Sequence, residues 1–217
     1  MSRVRAMLFD LDGTLLDSAP DLVAALNHVR ATEELAPIPV DEISRHASKG
    51  AAGLLTAGMP EADTQTYQAW RQIFLDFYAD NSYRETVPYD GVEELLHAIE
   101  GAAMPWGIVT NKFESLTDPV IEAVGWKSRA ACVVCGDTVG ESKPHPAPIL
   151  HACEIIGVEP EETLFAGDDV RDIQAGLAAG TRTAAIHYGY GSHELNGKWA
   201  EVSFPVRKPA DLLMFLR

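Results

Sequence analysis

Two carboxylates follow the first apolar run of the chain, at a spacing that would let both act on one substrate. Asp10 follows the mainly apolar residues 4–9, and Asp12 lies two residues further on. If the extended backbone continues, residues at this spacing face the same side, about 6 to 7 Å apart at roughly 3.3 Å per residue. One carboxylate could then attack a substrate atom while the other handles a proton on the neighbouring atom. Asp10 and Asp12 are therefore the first candidates for catalytic residues.

A second group of carboxylates follows a later apolar run and consists of Asp168, Asp169 and Asp172. If these side chains were crowded with Asp10 and Asp12 into a partly desolvated site, their negative charges would repel one another strongly. The usual remedy is a hard divalent cation with oxygen ligands, and Mg²⁺ commonly binds one or two carboxylates together with a phosphate oxygen. The predicted cofactor is therefore Mg²⁺, with ligands from Asp10, Asp12, Asp168 and Asp172.

Uncharged donors and a lysine complete a set suited to phosphoryl transfer. Thr110 and Asn111 follow another apolar run, and Lys143 stands before a proline. These residues could bind phosphoryl oxygens, in a reaction where positioning and charge stabilisation do most of the work. Asp10 would attack phosphorus to form an aspartyl-phosphate, and Asp12 would protonate the leaving alcohol and then deprotonate the attacking water. The set predicts a phosphatase.

These residues need a scaffold that brings distant parts of the chain together, and the apolar runs predict one. Strand-like runs occupy residues 4–9, 106–109, 130–134, 164–166 and 183–186. Helical patterns alternate with them at residues 91–99, 119–124, 149–156 and 173–179, the second with Asp118 as its cap. This alternation predicts a doubly wound α/β sheet that is mainly parallel. Ligands of such a sheet bind outside the carboxyl ends of its strands, where Asp10, Thr110 and Asp168 stand.

Residues 16–86 break the alternation. This stretch contains helical patterns at residues 22–30, 51–57 and 67–78 and no strand-like run. It predicts a helical insertion, and residues 1–15 and 87–217 would then form a core of ordinary domain size. We expect two domains, a core and an inserted helical one.

Charge and composition exclude several classes of partner. The 217 residues carry a formal net charge of −15, which would repel phosphate backbones and anionic lipid surfaces. Nucleic acid and membranes are therefore not expected as partners, whereas a small phosphorylated metabolite could be held by local cations. Residues 1–9 lack the long apolar segment of a signal peptide, and three cysteines are too few for a disulfide framework. We expect a cytoplasmic protein, either a monomer or a homodimer.

The same residues carry a family resemblance. Residues 10–15, 109–111, 142–144 and 167–172 resemble the four ordered motifs of the haloacid dehalogenase-like hydrolase superfamily. The resemblance implies a Rossmann-like core with an α-helical cap inserted after the first motif. It also implies that Asp10 is the nucleophile and that Asp12 is the acid–base group and gives its backbone carbonyl to Mg²⁺. In that family Asp168 is the later metal ligand, and Thr110 and Lys143 bind phosphate.

Two branches of this superfamily are similar to the sequence. Residues 9–22 and 143–146 resemble phosphoglycolate phosphatases, whereas residues 167–190 resemble more closely the N-acetylmuramic acid 6-phosphate phosphatases. Asp169 stands where phosphoglycolate phosphatases often carry serine. Cap loops in this family reach over the active site to select the substrate, which makes Lys49 and Gly50 candidates for contacting a substrate carboxylate. Both substrates stay open.

Three other functions compete with a phosphatase. A phospho-accepting signalling module also combines acidic residues, a threonine and a lysine, but it needs a long-lived aspartyl-phosphate, which an acid–base group at Asp12 would shorten. A dehalogenase of the same superfamily would need neither Asp12 nor a magnesium cluster, because halide leaves without a proton. A sugar phosphomutase would use the same site and differs only in the fate of the phosphoryl group.

Overall fold

A parallel β-sheet forms the centre of the molecule. The computed structural model describes residues 3–216, and within this range the strands are β1 (Ala6–Phe9), β2 (Leu16–Asp17), β3 (Val87–Pro88), β4 (Trp106–Val109), β5 (Cys132–Val134), β6 (Thr163–Gly167), β7 (Arg182–Ile186) and β8 (Phe204–Val206). Six of them form one sheet in the order β5-β4-β1-β6-β7-β8, and every neighbouring pair in it is parallel. Strands β2 and β3 form a separate antiparallel pair.

Helices cover both faces of the large sheet. The α-helices of the described residues are α1 (Ala19–Thr32), α2 (Val40–Ile43), α3 (Gly50–Gly58), α4 (Thr64–Asn81), α5 (Val92–Gly101), α6 (Glu114–Ala123), α7 (Ala147–Ile156), α8 (Val170–Ala179) and α9 (Lys198–Val202). Side chains of β1 alternate between two cores, because Met7 and Phe9 pack in the cluster that contains α5, whereas Leu8 packs in the cluster that contains α7. This arrangement confirms the predicted doubly wound α/β fold.

Several local elements differ from the sequence prediction. Helix α6 begins at Glu114, so Pro119 lies inside it and the prediction of Asp118 as its cap was wrong. The lost backbone hydrogen bond is offset by burial of Val120 and Ile121 on the same helix. The sequence did not predict β8, a three-residue edge strand with a proline at its centre, or β2, which has only two residues.

Residues 16–86 contain α1 to α4 and a hydrophobic cluster of their own. Leu26, Leu54 and Phe74, from α1, α3 and α4, are fully buried in this cluster. Strands β2 and β3 join the two ends of the stretch, with Leu16 paired to Pro88. The division into a core and an inserted domain at residues 16–86 stays a prediction, and the antiparallel pair lies at its boundary.

Asp21 ties the end of the helical stretch to its beginning. Its buried carboxylate accepts hydrogen bonds from the backbone N–H groups of Arg84, Glu85 and Thr86, each at 3.0 Å, and from the Thr86 hydroxyl at 2.6 Å. A charged acceptor compensated by several donors can be buried at low cost. Asp21 therefore fixes the return of the chain toward β3.

The parallel topology decides where chemistry can occur. Because the strands run in one direction, their carboxyl ends meet at one edge of the sheet. Asp10, Thr110 and Asp168 directly follow β1, β4 and β6, which are neighbours in the order β4-β1-β6. Among the described residues, no helix combines the length and the apolar character required to cross a bilayer.

Candidate active site

Three buried carboxylates meet at the carboxyl edge of the sheet. Asp10, Asp168 and Asp172 each offer one oxygen, and these oxygens lie within 4.8 Å of one another. Asp172 reaches the group from the first turn of α8, where its carboxylate also accepts the backbone N–H of Asp169 at 3.0 Å. The structure thus brings together three of the four predicted metal ligands.

Lys143 supplies the positive charge inside this group. Its Nζ lies 2.8 Å from Asp10 Oδ1 and 2.7 Å from Asp172 Oδ1, and it also donates to the backbone carbonyl of Val109 at 2.8 Å. The side chain is only 3% exposed. Such a lysine stays charged because burial, which would lower its pKa, is outweighed by the two carboxylates, so that the pKa is raised.

One lysine does not neutralise three acids. Burial raises the pKa of Asp10 to about 7, with the charge of Asp172 adding to the effect and Lys143 opposing it. Burial also raises the pKa of Asp168 well above its usual range, and the charges of Asp10 and Asp172 raise it further. Hard oxygen donors that repel one another in a desolvated site are the donor set that a divalent cation requires, so these residues fit Mg²⁺.

The backbone around Asp168 is shaped to hold its side chain. Asp168 Oδ2 accepts the backbone N–H of Gly191 at 2.7 Å, and Oδ1 lies 3.3 Å from the Thr14 hydroxyl. Gly13 has a φ of +86°, and a Cβ at this position would overlap the Asp168 carboxylate. Glycine at position 13 therefore allows the turn after β1 to approach Asp168 closely.

Asp12 lies in a separate network beside this group. Its carboxylate accepts hydrogen bonds from Lys112 Nζ at 3.0 and 3.1 Å and from the Ser18 hydroxyl at 2.6 Å. Lys112 Nζ is also 2.6 Å from the hydroxyl of Tyr78, which belongs to α4, and Ser18 Oγ is 3.0 Å from the hydroxyl of Tyr190. The Asp12 side chain is not part of the three-carboxylate group. A metal contact by Asp12, which the family resemblance assigns to its backbone carbonyl, stays a prediction.

Lys112 was not predicted from the sequence. Burial would lower its pKa, but the Asp12 carboxylate and the Tyr78 hydroxyl outweigh this effect and raise it. The one available signal is its position, three residues after the end of β4, in the loop that also carries Thr110. From that position one could predict that Lys112 lies near the carboxyl edge of the sheet, but not that it bonds to Asp12 and Tyr78.

Thr110 and Asn111 line the same cavity as Asp10 and Lys143. The Thr110 hydroxyl accepts the backbone N–H of Lys112 at 3.2 Å, which leaves its own proton free to donate. The Asn111 side chain forms a reciprocal pair with the Lys143 backbone, at 2.8 Å to its carbonyl and 2.9 Å from its N–H. Asn111 therefore holds the lysine loop in place and keeps one amide N–H for another acceptor.

A cavity of about 340 Å³ joins these groups to the helical stretch. The core contributes the candidate residues Asp10, Asp12, Thr110, Asn111 and Lys143. The helical stretch contributes the predicted Lys49 and Gly50, together with Arg71, which the sequence did not single out.

Lys49 and Asp169 both have partners of opposite charge. Lys49 Nζ lies 3.0 Å from Glu194 Oε1, and both side chains are about half exposed. Asp169 pairs with Arg171 at 2.9 Å, and this pairing outweighs burial and lowers the pKa of Asp169. Asp169 also caps α8, which explains an acidic residue at this position without a metal.

Comparison with known proteins assigns the family. A sequence profile of the haloacid dehalogenase-like hydrolases matches residues 7–186. The chain is 43% identical to an N-acetylmuramic acid 6-phosphate phosphatase of Pseudomonas aeruginosa, over 87% of this chain and 84% of the relative. It is 44% identical to a phosphoglycolate phosphatase of Xylella fastidiosa, over 94% of this chain and 90% of the relative.

The fold agrees with a solved structure. The crystal structure of a predicted phosphoglycolate phosphatase from Haemophilus somnus superposes with a TM-score of 0.86 at 27% identity, and all of both chains is covered. Sequence profile, relatives and superposed structure all extend over most of the chain. The chain therefore belongs to the haloacid dehalogenase-like hydrolase family.

Proposed function

We propose that this protein is a Mg²⁺-dependent phosphatase that hydrolyses the phosphomonoester of a small metabolite through an aspartyl-phosphate on Asp10. The observation that carries the proposal is the buried group of Asp10, Asp168 and Asp172, with Lys143 bonded to two of its members. A site with three acids and one lysine can accept both a divalent cation and the negative charge of a phosphoryl group.

In the first step, Asp10 acts as the nucleophile. A carboxylate oxygen of Asp10 forms a bond to phosphorus while the bond from phosphorus to the ester oxygen breaks, and its electron pair stays on the leaving oxygen. Asp12, which lines the same cavity, gives a proton to that oxygen, so that the metabolite leaves as an alcohol. Lys112 and Ser18 hold the Asp12 carboxylate in place for this transfer.

In the second step, Asp12 takes a proton from a water molecule. The water oxygen attacks phosphorus, the bond between phosphorus and Asp10 breaks, and its electron pair returns to the Asp10 carboxylate. Inorganic phosphate leaves, and both aspartates return to their starting protonation states. An acid–base group in the same cavity as the nucleophile favours this turnover over a long-lived signalling phosphate.

Charge stabilisation comes from groups gathered at the carboxyl edge of the sheet. Lys143, the Thr110 hydroxyl and the remaining N–H of the Asn111 amide bind phosphoryl oxygens. The carboxylates of Asp10, Asp168 and Asp172 would hold Mg²⁺, together with the Asp12 backbone carbonyl that the family resemblance implies. When bound, Mg²⁺ supplies positive charge that neutralises the carboxylates and the phosphoryl group.

Residues 16–86 would act as a cap over a core of residues 1–15 and 87–217. Support comes from the separate hydrophobic cluster of α1, α3 and α4 and from the residues that this stretch contributes to the cavity.

A cytoplasmic location belongs to the same proposal, since all three cysteines are buried and unpaired. Phosphoglycolate and N-acetylmuramic acid 6-phosphate are the two candidate substrates, because close relatives carry both names.

Phosphate release measured on three substrates tests this function. We expect release from p-nitrophenyl phosphate and from at least one candidate substrate with Mg²⁺, and loss of release after addition of EDTA. Turnover by Asp10→Asn, or turnover that EDTA does not change, would contradict the proposal. Phosphorylation of the protein without turnover would indicate a signalling module, and isomerisation of a sugar phosphate without phosphate release would indicate a mutase.

A further inference from the structure

Arg71 lines the active-site cavity without a partner of its own. It lies on α4, is half-buried, and makes no hydrogen bond or ion pair with any residue that the structure describes. The other cationic side chains of the cavity are engaged, each by one or more carboxylates: Lys49 by Glu194, Lys112 by Asp12, Lys143 by Asp10 and Asp172, and Arg171 by Asp169. A guanidinium in a cavity with its donors uncommitted is suited to bind an anionic group of a ligand.

The position of Arg71 can be measured along α4. Arg71, Phe74, Leu75 and Tyr78 all line the cavity, and their spacing places them on one face of the helix. Tyr78 marks the end near the reaction, because its hydroxyl lies 2.6 Å from Lys112 Nζ, which contacts the Asp12 carboxylate. Arg71 precedes Tyr78 by two turns, about 10 Å at roughly 1.5 Å per residue. This is the separation of the two Cα atoms along the helix.

This separation distinguishes the two candidate substrates. In phosphoglycolate the carboxylate is about three bonds from phosphorus, within roughly 4 Å at about 1.5 Å per bond. In N-acetylmuramic acid 6-phosphate the lactyl carboxylate lies across the sugar ring, about eight bonds from phosphorus, and can extend to on the order of 8 to 10 Å. With its phosphoryl group at Asp10, the longer substrate would extend its carboxylate several ångströms farther along the cavity that Arg71 lines than the shorter one could.

The apolar part of the cavity lining also fits a larger ligand. Its apolar side chains include Leu22, Leu75 and Leu116, which a two-carbon acid could not cover and a sugar ring with an acetyl group could. Ser48 also lines the cavity, and its hydroxyl oxygen is buried without a hydrogen-bond partner among the described residues. A hydrogen bond between this buried hydroxyl and a polar atom of the ligand would remove the free-energy cost of leaving it unsatisfied.

We propose that Arg71 binds a carboxylate that lies across a sugar ring from the phosphoryl group, so that the preferred substrate is a carboxylate-bearing sugar phosphate rather than a two-carbon acid. This inference rests on the proposed phosphatase function. Arg71 is then a specificity residue that touches the substrate far from the reacting atoms.

The test compares two sugar phosphates that differ by one group. N-acetylmuramic acid 6-phosphate carries the lactyl carboxylate, and N-acetylglucosamine 6-phosphate is the same sugar phosphate without it. In Arg71→Met we expect kcat/KM for the first substrate to fall on the order of 10- to 100-fold, mainly through KM, since hydrogen bonds to charged groups have this strength. The second substrate should change by less than about twofold. Arg71→Lys should recover part of the loss, because it keeps the charge and loses the planar fork.

Matched controls separate this inference from the proposed function. Arg45→Met makes the same change at an exposed cap arginine outside the cavity and should leave both substrates unaffected. Thermal unfolding of each variant checks the fold. An equal effect of Arg71→Met on both substrates, no effect on either, or loss of the preference in Lys49→Met instead would overturn the role of Arg71. If the wild-type protein hydrolyses p-nitrophenyl phosphate but does not prefer the carboxylate-bearing sugar, only this inference fails; if it hydrolyses no phosphomonoester, the proposed function fails.

Discussion

Two regions of the molecule bury aspartate carboxylates in opposite ways. Asp21, at the start of α1, is 3% exposed and receives backbone N–H groups from three consecutive residues and the Thr86 hydroxyl. Asp168, after β6, is 1% exposed and faces Asp10 and Asp172, with the backbone N–H of Gly191 as its close donor. The first carboxylate is compensated by the fold itself, whereas the second is surrounded by charges of its own sign.

A structural acid and a functional acid can be distinguished by the groups that surround each carboxylate. Burial alone does not do so, because both side chains are almost completely covered. The hydrogen-bond donors around each carboxylate distinguish the two cases. A carboxylate that accepts several backbone N–H groups holds chain segments together, whereas a carboxylate grouped with other acids needs a cation or a proton. The same Asp→Asn substitution should therefore have opposite consequences in the two regions.

The largest effect is expected at the nucleophile. Asp10→Asn should reduce turnover of p-nitrophenyl phosphate by about 10⁴-fold or more, because an amide cannot form the acyl-phosphate. Its melting temperature should stay close to that of the wild type, since the substitution removes one of three acids that repel one another. Steady-state kinetics and thermal unfolding measured on the same preparation check both parts.

Asp21→Asn should give the reverse pattern. Loss of charge weakens several hydrogen bonds at once, and we expect unfolding to become easier by about 2 to 3 kcal/mol. At roughly 2 to 4 °C per kcal/mol for a chain of this size, the melting temperature should fall by about 4 to 12 °C. Turnover well below that temperature should change by less than about threefold. An Asp21→Asn protein with unchanged melting temperature and strongly reduced kcat would show that Asp21 is not a purely structural acid.

A smaller effect on activity is expected at Lys112. Lys112→Met keeps the length of the side chain but removes the two hydrogen bonds to Asp12 and the one to Tyr78. We expect kcat to fall by roughly 10- to 100-fold with little change in KM, because proton transfer by a positioned group contributes about 10²- to 10⁴-fold and Asp12 itself is retained. A change confined to KM would show that Lys112 binds substrate instead.

The smallest effect concerns pH in the absence of Mg²⁺. Because the pKa of Asp10 is raised from 3.8 to about 7, the folded protein binds more protons than the unfolded chain between these values. The contribution of Asp10 to stability therefore falls as pH rises through this window and is constant above it. Urea unfolding of metal-free protein from pH 4 to 8 should show this loss, and the loss should be smaller in Asp10→Asn. Equal pH dependence in both proteins would contradict it.

The sequence predicted those parts of the site that depend on strand ends. Asp10, Thr110 and Asp168 could be placed together because each directly follows an apolar run, and parallel strands bring their carboxyl ends to one edge. The fold class followed from the same alternation of strands and helices. Catalytic and ligand roles for these residues stay a prediction until they are measured.

Other parts could not be predicted, for physical reasons. The two-residue spacing of Asp10 and Asp12 assumed an extended backbone, but β1 ends at Phe9 and the chain turns at Gly13, so the Asp12 carboxylate joins another network. Lys112 resembles any surface lysine in the sequence, because its partners lie far away along the chain. Arg71 was hidden for the same reason, since only the placement of α4 over the core brings it to the cavity.

Acid quenching during turnover, followed by mass analysis of the intact protein and its peptides, determines whether a phosphoryl group is held on Asp10. With substrate and Mg²⁺ present, we expect a population of protein heavier by one phosphoryl group, located on Asp10. The label should be absent in Asp10→Asn and after removal of Mg²⁺ by EDTA. Rapid phosphate release without any phosphoryl group on Asp10, or with the group on another residue, would contradict the account.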